Sequence, residues 1–369
     1  MRIKTVFLLG CFVFSASRFA AQGCSDAGVC SAGLLSIVEF SYEVMPLDKY
    51  IPAELNNEED DVKLNGSKPD SNVVVGKKTD NTQVVSKKDT ALKVTTSGSG
   101  ISYIYKYPRY QFQLSSLFGK GEQGTSIFTQ QAEVSIGLPG QKLFVQAKVP
   151  YTFTSGSLAS TSGLGDIVAT LSYIIVNKNG KNLSLTGGVK LPANGGDLRA
   201  DSLPLPMVYQ TSLGSTDLLA GLKYSHKKWD FTIGYQHTFN QNRNQYLHRS
   251  TGTDGEYNVY FESKELKRAD DAIFRINRIY QAGKITANTG LLFIYHLADD
   301  EYTNAQGQRA RLAGSQGLTL NINLAASLNM SKSTDLFLLA ARPVVTRDAI
   351  PDGLMRTIVI IGGIKYNIF

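Results

Sequence analysis

The chain has no hydrophobic run long enough to cross a bilayer as a helix. Beyond its N-terminus, none of its 369 residues lie in an uninterrupted apolar stretch of about 18 or more, which excludes a multi-helix membrane protein. Methionine is scarce, at five, and tryptophan occurs once. Cysteine is nearly absent, with Cys11, Cys24 and Cys30 the whole complement. Four histidines, His226, His237, His248 and His296, sit on separate segments without paired-ligand spacing. They read as isolated interfacial or loop residues, so no metal and no cofactor is implied. There is no Gly-x-Ser-x-Gly elbow and no phosphate-loop motif, so catalytic residues are not indicated.

What is plentiful points the other way. The chain has 18 Tyr, 17 Phe and 34 Gly, a composition that favours strands and tight turns and gives an all-β class. A membrane role survives as a β-barrel, whose strands are half polar.

Residues 1–21 have a basic start at Arg2 and Lys4, an apolar stretch from Val6 to Phe14 and a small-residue exit at Phe19-Ala20-Ala21-Gln22, the pattern of a secretory signal peptide. Removing Arg2, Lys4 and Arg18 takes the 38 basic residues to 35 against 31 acidic ones, a charge of +4. That is too mild to argue for nucleic acid. Export makes one small disulfide between Cys24 and Cys30 the expected pairing, with lipidation of Cys24 after Gly23 the alternative.

Residues 22–100 form an N-terminal periplasmic or plug segment. Within it, 46–100 carries nine acids and eight lysines, including Glu58-Glu59-Asp60-Asp61, and cannot bury a core. Just before that insert, Val38, Phe40, Tyr42 and Val44 alternate with polar residues and make one further strand conceivable.

Residues 101–369 are the barrel. Residues 318–330 put Leu318, Leu320, Ile322, Leu324, Ala326, Leu328 and Met330 on one face, and Thr319, Asn321, Asn323, Ser327 and Asn329 on the other. Twelve such segments are expected, at about 101–118, 127–138, 142–153, 166–177, 183–191, 217–226, 229–240, 271–281, 285–296, 317–330, 335–346 and 355–369. Their links alternate short and long, which predicts an antiparallel transmembrane barrel of twelve strands, or fourteen if the N-terminal segment joins the wall. The tight turns and both termini then lie in the periplasm of the bacterial outer membrane. The terminal Phe369 looks like the signal read by the barrel assembly machinery.

If the aliphatic face meets outer-membrane lipid, Glu133, Lys148, Asp166, Lys190, Lys223, Arg275 and Arg342 face the lumen, either guiding an anionic head group or pairing to fill a narrow barrel. Leu203, Leu205 and Met207, in a proline-rich loop, either collect a hydrophobic solute at the mouth or pack against the rim. Aromatic residues gather near strand ends, at Tyr103, Tyr105, Tyr107, Tyr110, Tyr151, Phe153, Trp229, Phe231, Tyr295 and Tyr366, as interfacial girdles do.

Three stretches carry a family resemblance: residues 148–156 (Lys-Val-Pro-Tyr-Thr-Phe-Thr-Ser-Gly), 162–167 (Ser-Gly-Leu-Gly-Asp-Ile) and 188–192 (Gly-Val-Lys-Leu-Pro). They resemble the outer-membrane barrels described as phenol-degradation meta-pathway proteins, a group related to the long-chain fatty-acid and aromatic-hydrocarbon channels. Residues 24–28 and 203–214 look like uncharacterised Bacteroidetes-type relatives. The resemblance implies a transporter passively admitting small hydrophobic or amphipathic molecules, with no catalytic residues to carry over. The alternatives are a lipase-like outer-membrane enzyme, which would leave no local motif, and a barrel serving as a surface anchor or adhesion scaffold.

Overall fold

A computed structural model describes residues 43–46, 103–140, 142–249, 255–353 and 357–369, with 43–46 and 103–106 described as backbone alone. The signal segment, Cys24, Cys30 and the insert from residue 47 lie outside the described residues.

Twelve strands make the wall: β1 Tyr110–Lys120, β2 Ser126–Gly137, β3 Leu143–Ser155, β4 Ile167–Lys178, β5 Lys181–Leu191 and β6 Asp217–His226, followed by β7 Trp229–Thr238, β8 Asp271–Ala282, β9 Ile285–His296, β10 Gly317–Asn329, β11 Thr334–Val345 and β12 Val359–Ile368. Each pairs antiparallel with its sequence neighbours, and β1 also pairs with β12. The sheet therefore closes with no open edge at twelve strands, not fourteen.

Two details differ from the sequence reading. The first wall strand begins at Tyr110 and not near residue 101, because Tyr103–Lys106 pairs instead with Glu43–Pro46 in a separate two-stranded sheet. Pro108, which has no N–H to give a ladder, lies between the two strands. The barrel sheet also carries one strand beyond the twelve: Ser160–Leu164 folds back on the upper part of β3, Tyr151–Ser155, while β4 pairs only with the lower part, Leu143–Lys148.

Five links are short, at 138–142, 179–180, 227–228, 283–284 and 330–333, and gather at one end of the barrel with the C-terminus. At 179–180 the turn needs two left-handed residues, which Asn179 (φ 53°) and Gly180 (φ 67°) supply; this primed turn matches the twist of the flanking strands. The six links at the other end include 192–216, 239–270 and 297–316.

The outer face carries aliphatic residues at mid-height, such as Leu114, Leu171, Leu185, Ile233, Leu291 and Ile322, all exposed. Exposed aromatics ring both ends: Phe118, Phe128, Tyr151, Phe153, Tyr235 and Tyr295 toward the loops, and Phe112, Tyr224, Trp229, Tyr280 and Tyr366 toward the turns. This band between aromatic girdles is the outer face of a barrel in lipid. Tyr107 is not part of a girdle, since it is buried with its ring 5.4 Å from that of Phe144, at the turn end of β3.

Candidate functional site

Alternation along the strands decides what faces the lumen. On β3 every second residue is buried, so Gln146, Lys148, Thr152 and Thr154 line the inside while Val145, Val149, Tyr151 and Phe153 face out. The same phase turns Glu133, Lys190, Lys223 and Arg275 inward, each buried. Arg342 is a correction. It lies on the exposed face of β11 with Leu336, Leu338 and Val344, in register with outward-facing Ile322. From its place beside Ile322 its long carbon stem can run along the wall and carry the charged head toward the loop-end interface.

At the loop end the buried charges form one connected layer. Lys190 Nζ sits 2.5 Å from Asp217 and 3.6 Å from Asp166. Arg268 reaches Asp352 at 2.9 Å, Asp271 at 3.0 Å and Asp217 at 3.5 Å. His296 is held between Asp271 and Asp300, each at 2.7 Å, and Arg347 donates to the Ser315 carbonyl at 2.7 Å. Burial works against the charge on Arg268, but Asp352, Asp271, Asp217 and Asp300 outweigh it and hold the guanidinium more firmly protonated than usual. This layer ties the loops after β3, β7, β9 and β11 to the ends of β5, β6, β8 and β9. His296 is therefore no isolated histidine. Its bond to Asp271 comes from strand register, Asp271 lying opposite His296, and no linear motif announces it.

Above the charges the loops fold together. Leu205 and Met207 are buried and Leu203 is half-buried. Leu205 packs with Ile127, Val208, Tyr209, Tyr246, Tyr257 and Tyr260, with Leu203 against that cluster, and Met207 packs with Leu213 and Leu266. Buried loop backbone must find partners, and asparagines supply them. Asn244 donates to the carbonyls of Gly196 (2.7 Å) and Leu205 (3.0 Å) and accepts from the Tyr246 N–H (2.8 Å). The segment 203–214 also docks on the Gly163–Asp166 turn. Asp166 accepts from the Ser212 hydroxyl at 2.5 Å and the Leu213 N–H at 3.2 Å, and a Cβ on Gly165 would come within 2.9 Å of Pro150. The stretches carrying the resemblance thus converge on the mouth. Glu122, in the first loop, is also buried there; burial pushes its carboxyl up to about 8, the Phe261 N–H pulls it down, and Asp352 pushes it further up.

Below the mouth the lumen is not uniformly polar. Val168, Leu219, Ile273, Leu292 and Ile294 form one inward apolar cluster, and Leu117, Ala341 and Val359, with Leu339 and Ile361 against them, form another across β11, β12 and β1. The sequence reading missed both. The available signal was strands apolar on both faces, as in Leu291–Tyr295. Polar pairs fill much of the rest: Lys223 meets Asp230 at 3.1 Å, Gln146 donates to Glu133 at 2.5 Å, and Asn367 donates to Asp335 at 2.9 Å.

A closed antiparallel wall with a girdled apolar exterior and a largely polar interior defines an outer-membrane-type, porin-like β-barrel. No family model matches the chain, and no curated protein matches it. Among solved structures it is similar to a COG4313 outer membrane channel from Pseudomonas putida F1, at 14% identity over 70% of this chain and 95% of that one, with a TM-score of 0.47. It is also similar to outer membrane phospholipase A from Escherichia coli (11%, 71% and 91%, TM-score 0.36) and to the CymD monoaromatic hydrocarbon channel (11%, 72% and 81%, TM-score 0.34). These are likenesses of fold.

Proposed function

We propose that the protein is an outer-membrane channel for passive uptake of small hydrophobic or amphipathic molecules, with the short turns in the periplasm and the folded loops outside. The observation carrying this reading is the amphipathic lumen: inward apolar clusters on two sides of the wall, set among polar side chains beneath a mouth closed by loops and not by strands. A fully polar lumen would suit hydrophilic solutes, and a fully apolar one would form a sealed core. The N-terminal segment is read as a plug, since Tyr107, just ahead of β1, turns onto lumen-facing Phe144 and Tyr103–Lys106 lies beside β4. Phe369, exposed beyond β12, is the element offered to the assembly machinery.

The test is uptake of radiolabelled benzyl alcohol by whole cells with and without the protein, at concentrations where the outer membrane limits entry. Equal rates would refute the channel reading.

One observation favours an enzyme as the second reading. On the outer surface at the loop end, Asp270 accepts from Tyr235 and pairs with His237 Nδ1 at 2.9 Å, as the acid of a hydrolytic triad orients its histidine. Ester turnover abolished by His237→Ala would establish it.

A further inference from the structure

Lumen-facing Lys190 and Lys223 each have a carboxylate partner, whereas Arg275 has none among the described residues. Its side chain is buried, 5% exposed, and its one partner among the described residues is Asn277, whose Oδ1 accepts from Nε at 3.1 Å. A buried guanidinium without a counter-ion is costly, so a barrel that keeps one at mid-wall has a place for an anion.

The surroundings are shaped for that anion. Arg275, Leu292 and Asn321 lie in one transverse row, and Asn277, Gly290 and Asn323 in the next. Asn277 leans over Gly290 so closely that a Cβ there would come within 1.9 Å of its Oδ1. Gly290 therefore seats the amide that fixes Arg275. In the same two rows on β10 stand Asn321, fully buried, with neither amide atom partnered among the described residues, and Asn323, whose Oδ1 is likewise unpartnered. One step toward the mouth the lining turns apolar, at Ile273 and Ile294, continuing to Leu219 and Val168.

We infer that this stretch of the lumen wall binds a small amphipathic monoanion, its carboxylate on the Arg275 guanidinium and the Asn321 amide and its apolar body against Ile273, Leu292 and Ile294. The planar guanidinium offers parallel donors that match a carboxylate, and the neighbouring amide adds a third. An alcohol of the same shape would keep the apolar contacts and lose the charge-assisted ones. The inference rests on the channel reading for its role in uptake, while binding stands on its own.

The experiment measures binding of benzoate and of benzyl alcohol to the full-length protein in detergent, by calorimetry, for wild type, Arg275→Gln, Arg275→Lys and Asn321→Leu. Folding is checked for each by heat-modified mobility on a gel. Wild type should bind benzoate at least about tenfold more tightly than benzyl alcohol. Arg275→Gln should abolish that preference, Arg275→Lys should keep part of it, and Asn321→Leu should weaken benzoate alone. If Arg275→Gln fails to fold, the Lys and Leu variants carry the same test. Equal binding of the two probes by wild type, or a benzoate preference undiminished in the Arg275 and Asn321 variants, overturns the site. Whole-cell uptake separates the two readings: alcohol entry together with equal binding of the two probes sinks the site and keeps the channel, while benzoate binding without uptake of either probe does the reverse.

Discussion

Replacing Arg268 with leucine should release the mouth. The guanidinium, 3% exposed, makes close contacts with Asp352 (2.9 Å) and Asp271 (3.0 Å) and a longer one with Asp217 (3.5 Å). Removing one partner of a buried pair costs about 3–5 kcal/mol, because the charge left behind is desolvated and uncompensated. The loss should fall unevenly. Asp217 keeps Lys190 at 2.5 Å and Asp271 keeps His296 at 2.7 Å, whereas Asp352 loses its nearest cation, Arg347 being 3.9 Å away. Asp352 lies in the loop after β11 and Arg268 in the loop after β7, so the damage is to loop docking and not to the wall. Cleavage of the 239–270 loop by chymotrypsin should accelerate about a hundredfold or more, that factor corresponding to about 3 kcal/mol, while heat-resistant gel mobility stays unchanged. Single-channel conductance should rise as the mouth opens. The double variant Arg268→Leu/Asp352→Leu, which removes the buried acid together with its partner, should recover at least half of the protection. Protection unaltered in the single variant, or lower still in the double, would refute the account of this layer as the latch.

The remaining expectations concern other parts of the molecule. The Glu122 carboxyl, raised by burial from 4.5 to about 8, holds its proton in the closed mouth and loses it once the loops open, so closure is most stable below about pH 4.5 and erodes as pH rises through 8. Chymotrypsin protection measured from pH 5 to 9 should fall accordingly, and Glu122→Gln should flatten the profile; a wild-type profile already flat would contradict the burial argument. Ile322→Arg, at mid-wall on the outer face, should destabilise by about 2–4 kcal/mol, and Leu328→Arg, near the turn end, by about 0–1 kcal/mol; equal losses in urea unfolding would mean that depth in the membrane is misassigned. Cysteines at Asn179 and Lys332 should escape impermeant thiol reagents on whole cells, and one at Gln306 should react; the reverse labelling would invert the topology.

The sequence by itself determined the wall. Period-two alternation over nine or more residues, broken by Asn-Gly and Lys-Lys turns, is a local signal, and eleven of the twelve strands fall within a few residues of where it puts them. The first strand shifted because Pro108 and the pairing of Tyr103–Lys106 with Glu43–Pro46 act across a long stretch of chain. The direction of a side chain was legible only while the alternation ran unbroken. Arg342 was sent inward on its charge, yet the phase set by Leu336 and Leu338 carries through Ala340 and turns it out. The lumen belonged to tertiary structure. His296 meets Asp271 through strand register, Arg268 gathers acids from β6, β8 and a later loop, and the apolar clusters join residues from strands far apart in sequence. Whether a lumen charge is neutralised or left to receive a ligand depends on what the closed wall brings opposite it. Lys190 and Arg275 are both inward bases on long strands, and strand register gave the first a carboxylate at 2.5 Å and the second only asparagine neighbours among the described residues.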